Sequence, residues 1–537
     1  MNDYCIIGSG PSAISAAVAL TRLGVPVTML DVGRTLDERR RTVVERLSII
    51  APSAWATADV DALKEGITAS SQGIPLKRAY GSTHPFDAHG THLDIECIGA
   101  DVRPSFARGG LSTVWGAGLL PFHEDDLAAW PISASELAAN IREVLSFVPC
   151  TGAVDSLDRL FPEDAKLRLA LAPTSQGDAF LADAARARRS LEAHGVFVGR
   201  SRLAVDVDGT RGGRRPCERC GMCLYGCPYE LIYSSEYTLR HLRTLPNFRY
   251  IPGIVVDRLT ERNGGVIIDA LDADSGARRQ FHSARLFLGA GVVTSTAIVL
   301  KSMGAIGEPI RLQDSFYFLL PLLRFVGVPN LDRERLVTLA QAFVVMRDAR
   351  VSRNLVHLSV YGFNDLMVDS FKAAGGYIGR GAIGRATAPM WSSLASRTLI
   401  LGGALHSDES PGLSLTVVSA EAGRTRVRIE GEDSRRAKQI ALRVATKLAT
   451  QTAALRATPL VPAIRFSPPG RGFHAGGSFP MRLEVGKHAS DTMGRPFGFE
   501  RVHLIDASCF PSIPATTITL PVMANAYRIA VQAAKHR

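Results

Sequence analysis

The amino-acid sequence predicts a mixed α/β protein with a Rossmann-like nucleotide-binding domain and a second domain. Three observations support this prediction. The chain has 537 residues, and a chain of this length exceeds what one hydrophobic core can hold. Its N-terminus reads as a strand at Tyr4–Ile7, a helix at Pro11–Leu23 and a strand at Val25–Leu30, with a glycine-rich turn after the first strand. Residues 311–430 mix strand and helix patterns outside this unit.

The composition excludes several classes of protein. Hydrophobic residues make up 46% and charged residues 21% of the chain, as in ordinary folded proteins and unlike disordered or fibrous ones. The formal net charge of +11 comes from scattered basic residues, and no recognition module accompanies them, so we expect no nucleic-acid partner. A basic surface instead suits an acidic redox partner or an anionic substrate.

The sequence also bears on where the protein works. No segment has the 18 or more consecutive apolar residues of a transmembrane helix, so we expect none. No signal peptide precedes the strand that begins at Tyr4. We therefore expect a cytoplasmic protein, or a periplasmic one if it is exported with a partner that carries the signal.

A G-x-G-x-x-A motif lies between the first predicted strand and the first predicted helix: Gly8-Ser9-Gly10-Pro11-Ser12-Ala13. One glycine permits the tight turn, and the other lets the backbone approach a pyrophosphate, to which the helix N-terminus offers its amides. Asp31 ends the next strand, where a carboxylate can accept hydrogen bonds from ribose hydroxyls. We therefore assign Gly8, Gly10, Pro11, Ser12 and Asp31 to a dinucleotide site.

Three further segments indicate which dinucleotide binds. They are residues 108–116 (RGGLSTVWG), 474–478 (HAGGS) and 502–512 (VHLIDASCFPS). All three resemble the glucose–methanol–choline (GMC) family of FAD oxidoreductases. The resemblance implies a GMC-type FAD-binding domain, a second α+β domain built on an antiparallel sheet that faces the substrate, and oxidation of a CH–OH group.

The same resemblance implies which residues contact FAD. We assign to the cofactor site Gly110, Thr113, Trp115, Val256, Gly291, Asp506 and Ala507. By the resemblance, Gly110 lies along the flavin and pyrophosphate, Val256 near the adenine, and Asp506 near the flavin. In the related pyranose oxidases a His beside this Trp carries a covalent flavin. Because that position is Val114 here, we expect non-covalent FAD.

A cluster of four cysteines followed by proline matches the bacterial ferredoxin pattern C-x2-C-x2-C-x3-C-P: Cys217, Cys220, Cys223, Cys227 and Pro228. A structural zinc site is the main alternative. A 3Fe–4S cluster on three cysteines, or a fourth ligand from Cys150, also stays open. Some bacterial GMC-type sugar dehydrogenases resemble this chain in carrying a Cys-rich insertion at this point. We favour a 4Fe–4S cluster with four local ligands in an insertion over residues 211–231.

His474 is the candidate catalytic base. Oxidising an alcohol requires a group that removes the hydroxyl proton, and a neutral imidazole can do so. His474 matches the His of the family's H-x-x-G-T/S segment. The family places a second His or Asn opposite, and that position falls on Thr517 here. Thr can form a hydrogen bond but does not titrate near neutral pH.

The predicted function is oxidation of a sugar, glycoside or related alcohol by FAD, with electrons leaving through the 4Fe–4S cluster to an external acceptor such as a cytochrome or quinone. One alternative is an FAD oxidase for a sterol or other apolar alcohol with a structural cluster, and another is a non-redox flavin lyase of the same fold. The predicted FAD-binding domain comprises residues 1–125, 201–310 and 465–537. The predicted substrate domain comprises residues 126–200 and 311–464.

Overall fold

The structure is a computed structural model that describes residues 3–66, 76–162, 169–262, 264–334, 336–367, 382–421 and 424–535. The strands are β1 Tyr4–Ile7, β2 Val27–Leu30, β3 Leu93–Ile98, β4 Val196–Arg200, β5 Phe248–Ile251, β6 Ile254–Arg262, β7 Gly265–Asp272, β8 Arg278–Ser283, β9 Arg285–Leu288, β10 Pro309–Leu312, β11 Tyr317–Arg324, β12 Ala342–Met346, β13 Val356–Tyr361, β14 Thr398–Ala404, β15 Leu413–Glu421, β16 Arg424–Gly431, β17 Ala457–Pro459, β18 Arg465–Phe466 and β19 Val502–Leu504.

The helices follow the same numbering along the chain. They are α1 Pro11–Arg22, α2 Glu38–Ser48, α3 Thr57–Lys64, α4 Ala134–Leu145, α5 Ser175–Arg186, α6 Arg188–Ala193, α7 Ser235–Leu242, α8 Val292–Ser302, α9 Leu331–Glu334, α10 Ala382–Arg397, α11 Arg435–Thr450, α12 Thr452–Leu455 and α13 Thr519–Lys535. Among the described residues, no helix is both long and apolar enough to cross a bilayer.

The predicted nucleotide-binding unit is a five-stranded parallel sheet in the order β19-β9-β1-β2-β5. The N-terminal β1, α1 and β2 lie where the sequence predicts them, within two residues. Helix α13, from the far end of the chain, packs on α1, and the Ser15 hydroxyl donates to the Met523 carbonyl at 2.7 Å. The first and last segments of the chain therefore build one layer.

A seven-stranded antiparallel sheet forms the second layer, in the order β17-β11-β14-β13-β12-β4, with β18 pairing on β11. Successive side chains of a strand point to opposite faces. One face packs on α5 and α11 in a separate core, through residues such as Phe318, Leu358 and Val444. The other face lines a large cavity, through residues such as Tyr317 and Ser359. The fold is thus the mixed α/β arrangement that the sequence predicts.

Two smaller sheets complete the molecule. Strands β6, β7 and β8 form a meander, and β10, β15, β16 and β3 form a four-stranded sheet. Strand β6 and helix α8 pack together. Residues from β6 and α8 reach the same cavity as the two larger sheets.

Candidate functional site

A cavity of about 1120 Å³ runs between the parallel sheet and the antiparallel sheet. Typical small-molecule pockets hold about 300–1,000 Å³, so this one has room for a dinucleotide together with a substrate. The predicted cofactor and catalytic residues that line it are Gly8, Gly10, Pro11, Ser12, Asp31, Gly110, Trp115, Val256, Gly291, Asp506, Ala507, His474 and Thr517. Thr113 is not among the lining residues; its hydroxyl donates to the Gly110 carbonyl at 2.9 Å.

At the nucleotide end, two glycines let backbones approach closely. Gly8 has φ +92°, and a Cβ built on it would lie 2.5 Å from the Gly289 carbonyl oxygen. Gly110 has φ +58°, and a Cβ there would lie 2.9 Å from the Cα of Gly10. Both conformations and both contacts exclude larger side chains. The glycine-rich turn and the loop around Gly110 therefore meet backbone to backbone over the start of α1.

We expect Gly8→Ala to lower the free energy of unfolding by about 1–3 kcal/mol, the usual cost of backbone strain at such positions, and to reduce bound flavin. The added Cβ meets a backbone carbonyl, which cannot move away cheaply. Thermal unfolding and the ratio of flavin absorbance to protein measure both effects. Gly24→Ala is the matched control, because Gly24 has φ +72° with nothing within 4 Å. Equal flavin loss in the two variants would contradict the role of the contact.

Ser9 joins the two loops to Asp31. Its hydroxyl donates to Asp31 Oδ2 and accepts the Gly109 amide at 2.9 Å. The Tyr250 hydroxyl donates to the same Asp31 oxygen at 2.9 Å. Burial raises the pKa of Asp31 to about 6, and these donors oppose the rise. Sequence reasoning missed Ser9 and Tyr250, because the variable position of a motif and a strand Tyr carry no signal of their own.

Asp506 holds the start of α8 beside the cavity. Its carboxylate accepts the Gly291 amide at 3.0 Å, the Ser295 hydroxyl at 2.6 Å and the Ser508 amide at 3.0 Å. A carboxylate at a helix N-terminus satisfies donors that the helix itself cannot. Burial raises the pKa of Asp506, and the same donors oppose the rise. Asp506 therefore fixes Gly291 and the first turn of α8.

His474 is placed to act as a neutral base. It lines the cavity, and its Nδ1 is buried without a hydrogen-bond partner in the described part of the chain. Burial lowers the pKa of His474 to about 4, because desolvation disfavours the imidazolium form. The ring is thus unprotonated at neutral pH. An unprotonated imidazole that faces a cavity can accept a proton from a bound molecule.

Thr517 lies in the cavity, but its hydroxyl oxygen is already engaged. It accepts the Leu120 amide at 2.9 Å. The methyl group packs at Gly118, where an added Cβ would lie 2.8 Å from Thr517 Cγ2 and 3.5 Å from the Phe343 ring. Thr517 therefore helps to hold the 118–120 segment in place.

His357 is the residue that the sequence did not mark. It belongs to none of the sequence motifs described above. In the structure it lies on β13, lines the same cavity as His474 and stands 4.7 Å, ring centre to ring centre, from Phe343. Only the pairing of β13 with β12 and β14 brings it there. No local pattern could have revealed it.

Comparison with solved structures identifies this arrangement. A pyridoxine 4-oxidase from Mesorbium loti matches with a TM-score of 0.62 and 16% identity, covering 100% of both chains. An FAD-dependent oxidoreductase from Chaetomium thermophilum, in complex with a small-molecule fragment, matches with a TM-score of 0.57 and 13% identity over 99% of both chains. The chain therefore shares the fold of these two solved structures. No protein-family model and no curated protein matches the sequence.

Four cysteines lie together in the loop at 211–231. All four line one small cavity of about 20 Å³, and Cys150 is not among its lining residues. Cys223 also lines the large cavity. Among the described residues, however, no group of three or more His, Cys, Asp or Glu side chains is spaced to hold a metal ion. The structure thus brings the thiols together without closing a ligand set.

Backbone amides lie beside three of the cysteine sulfurs. Burial raises the pKa of Cys217, Cys220 and Cys227, and these amides oppose the rise: that of Arg219 at Cys217, that of Met222 at Cys220, and those of Tyr229, Leu231 and Ile232 at Cys227. Hydrogen bonds to the sulfurs are one of the features that tune the potential of a bound iron–sulfur cluster. Arg219 and Gly221 have φ +55° and +77°, which turns the chain sharply between the cysteines.

Proposed function

We propose that this protein is an FAD-dependent oxidoreductase that oxidises a hydroxyl group to a carbonyl. The observation that carries the proposal is His474, a neutral imidazole in the same cavity as the glycine-rich turn and Asp31. The open space and the backbone amides at the start of α1 fit a dinucleotide. Bound FAD would supply the acceptor for the hydride that leaves the substrate carbon.

The chain's own residues perform the proton transfer. His474 would accept the hydroxyl proton as the substrate is oxidised, since a base within hydrogen-bond reach lowers the barrier to this step. Asp506 and Gly291 hold the start of α8 against the same cavity. The walls of the cavity are mostly apolar, and electrostatic interactions are stronger in such surroundings than in water.

We propose that Cys217, Cys220, Cys223 and Cys227 hold a 4Fe–4S cluster. Support comes from their shared cavity, the backbone amides beside three of the sulfurs, and the position of Cys223 on the walls of both cavities. Such a cluster supplies one-electron transfer, which suits a dehydrogenase with an external carrier as acceptor. The carrier, a cytochrome or a quinone, is part of the proposal.

The side chains that line the cavity indicate which kind of alcohol fits. The face of the antiparallel sheet and the segment after β17 contribute mainly apolar side chains, among them Leu319, Pro321, Ile400, Leu460 and Ile464. A sugar exposes hydroxyls on all sides, and each buried hydroxyl needs a partner. Among the predicted substrates, the wall favours an alcohol with an apolar body over a free sugar.

Anaerobic reduction of the flavin tests this function. The purified protein is mixed without oxygen with D-glucose, methyl β-D-glucopyranoside, benzyl alcohol, 1-octanol or cholesterol, and the flavin absorbance is followed. We expect bleaching by one of the apolar alcohols and reoxidation by cytochrome c or a quinone. Rapid reoxidation by oxygen, with no reduction of the cluster, would favour the oxidase alternative. Binding without any bleaching would favour the non-redox alternative.

The proposal predicts the pH dependence of flavin reduction. His474 must be unprotonated to accept a proton, and its pKa lies at about 4. The rate constant should therefore be constant above about pH 5 and fall about tenfold per pH unit well below 4. Stopped-flow measurement of flavin reduction at saturating alcohol gives the rate constant at each pH and so shows where it begins to fall. A limb centred near 6.5, the value of a solvated imidazole, would show that His474 is not the titrating base.

A further inference from the structure

His357 carries an unsatisfied hydrogen-bonding atom at the wall of the substrate cavity. It lies on β13, on the same face as Ser359 and Tyr361, and is 4% exposed. Its Nε2 lies 3.2 Å from the Ser359 hydroxyl, whereas its Nδ1 is buried and has no partner among the described residues. Buried polar atoms nearly always have partners in native proteins. An orphan at a cavity wall therefore points to a group supplied by a ligand.

His357 is close to the base. The two imidazoles line one cavity, and each has a buried Nδ1 without a partner among the described residues. Burial, with a smaller contribution from the nearby His474, lowers the pKa of His357 to about 3. Tyr317 and Tyr361 lie on the same wall, and burial raises their pKa values. Arg465 of β18 also lines the cavity. The two imidazoles and the two phenols are thus neutral near pH 7.

The position where a second group was expected cannot serve as well. The oxygen of Thr517 already accepts the Leu120 amide. Thr517 and Phe343 meet around Gly118, and the Phe343 ring contacts His357. The imidazole on β13 and the threonine before α13 therefore border the same end of the cavity. The two elements that carry them are more than 150 residues apart in the chain.

We propose that His357 binds the oxygen of the substrate hydroxyl opposite His474. This inference rests on the proposed function. In the tautomer that we propose, the Ser359 hydroxyl donates to Nε2 and the imidazole proton lies on Nδ1, whose N–H donates to the substrate oxygen. His474 accepts the hydroxyl proton, the C–H bond breaks with its electron pair leaving as hydride to FAD, and the C=O double bond forms. Charge that develops on the oxygen is stabilised by the Nδ1–H donor.

Substitution of His357 tests the proposal in the flavin-loaded enzyme. Benzyl alcohol, 1-octanol and methyl β-D-glucopyranoside serve as reductants in anaerobic stopped-flow experiments. His357→Phe removes the donor but keeps a ring against Phe343, and we expect the rate constant at saturation to fall about 10²–10³-fold, as for the loss of an oxyanion donor. His357→Gln retains an N–H donor and should recover part of the rate. Ser359→Ala removes the hydroxyl that holds the imidazole proton on Nδ1 of His357. We expect this variant to show a smaller fall in the rate constant than His357→Phe.

His503→Phe is the matched control. His503 is also buried, stacks on Phe287 at 5.1 Å and has an unpartnered Nε2, but it does not line the cavity. We expect its loss to lower the melting temperature without changing the saturated rate constant. If His357→Phe and His503→Phe have equal effects on the rate constant, His357 has only a structural role and the inference is wrong.

The inference and the proposed function fail in different ways. If His474→Ala abolishes flavin reduction while His357→Phe leaves it unchanged, the function stands and the inference falls. If none of the three reductants bleaches the wild-type flavin, both fall. A fall in the rate constant with an unchanged half-saturating alcohol concentration, partly recovered in His357→Gln, supports the inference, because a purely structural role would not give this pattern.

Discussion

His474→Ala should reduce the rate constant of anaerobic flavin reduction by about 10²–10⁴-fold, the range typical of a general base. The substitution removes the neutral imidazole that faces the cavity. Flavin content should be unchanged, because the glycine-rich turn and Asp31 lie at the other end of the cofactor site. Stopped-flow absorbance at saturating alcohol gives the rate constant, and the spectrum before mixing gives the flavin content.

The exposed His241 provides the control for this substitution. His241→Ala should match the wild-type protein in rate and in flavin content. Full activity of the His474→Ala variant would show that His474 is not the base that accepts the proton. It would favour a non-redox reaction in the same cavity. Loss of flavin from the variant would instead give His474 a binding role.

Cys220→Ser should eliminate the iron of the purified protein and, with it, electron transfer to cytochrome c. Serine is a poor ligand for a cluster that cysteine thiolates hold, and Cys220 lines the small cavity with the other three cysteines. Reduction of the flavin by alcohol should persist, because Cys220 does not line the large cavity. The checks are iron and sulfide content, the spectrum of the reduced protein, and steady-state reduction of cytochrome c.

Cys97→Ser is the control for the cysteine variants, since Cys97 is exposed and lies outside the loop. It should retain about four irons per chain, the content of a 4Fe–4S cluster. Wild-type protein with one zinc and no sulfide would establish the structural zinc site instead. Three irons per chain would indicate the smaller cluster on three cysteines.

The parts of the site near the N-terminus could be predicted because their signal is local. The turn after β1 is tight, and Gly8 in it has a positive φ and lies against the Gly289 backbone, so the local pattern of Gly8 and Gly10 between a strand and a helix is enough to predict the turn. Asp31 could be predicted as well, because it directly follows β2, the next strand along the chain. The cysteine spacing is likewise local, since a loop that wraps its own ligands needs no other part of the chain.

The cavity wall that the seven-stranded sheet forms could not be predicted, because its residues come together only through strand pairing. Strand β12 lies between β13 and β4, although more than 140 residues separate β4 from β12. No periodicity within β13 indicates that its odd-numbered face will meet His474. The sequence around His357 therefore gives no sign that this residue lines the cavity. The domain boundaries at residues 126–200 and 311–464 stay a prediction for the same reason, although β4 does pair with β12.

One face of the seven-stranded sheet lines the cavity and the other packs in a separate core. Side chains that line the cavity can therefore be changed without changing those in the core. Positions such as Leu319 and Ile400 face the cavity, while their neighbours Leu320 and Leu401 belong to the other core. A library confined to alternate positions could therefore alter which alcohols enter without disturbing the packing of α11. Evolution has had the same freedom, and relatives with this fold could diverge in specificity one strand position at a time.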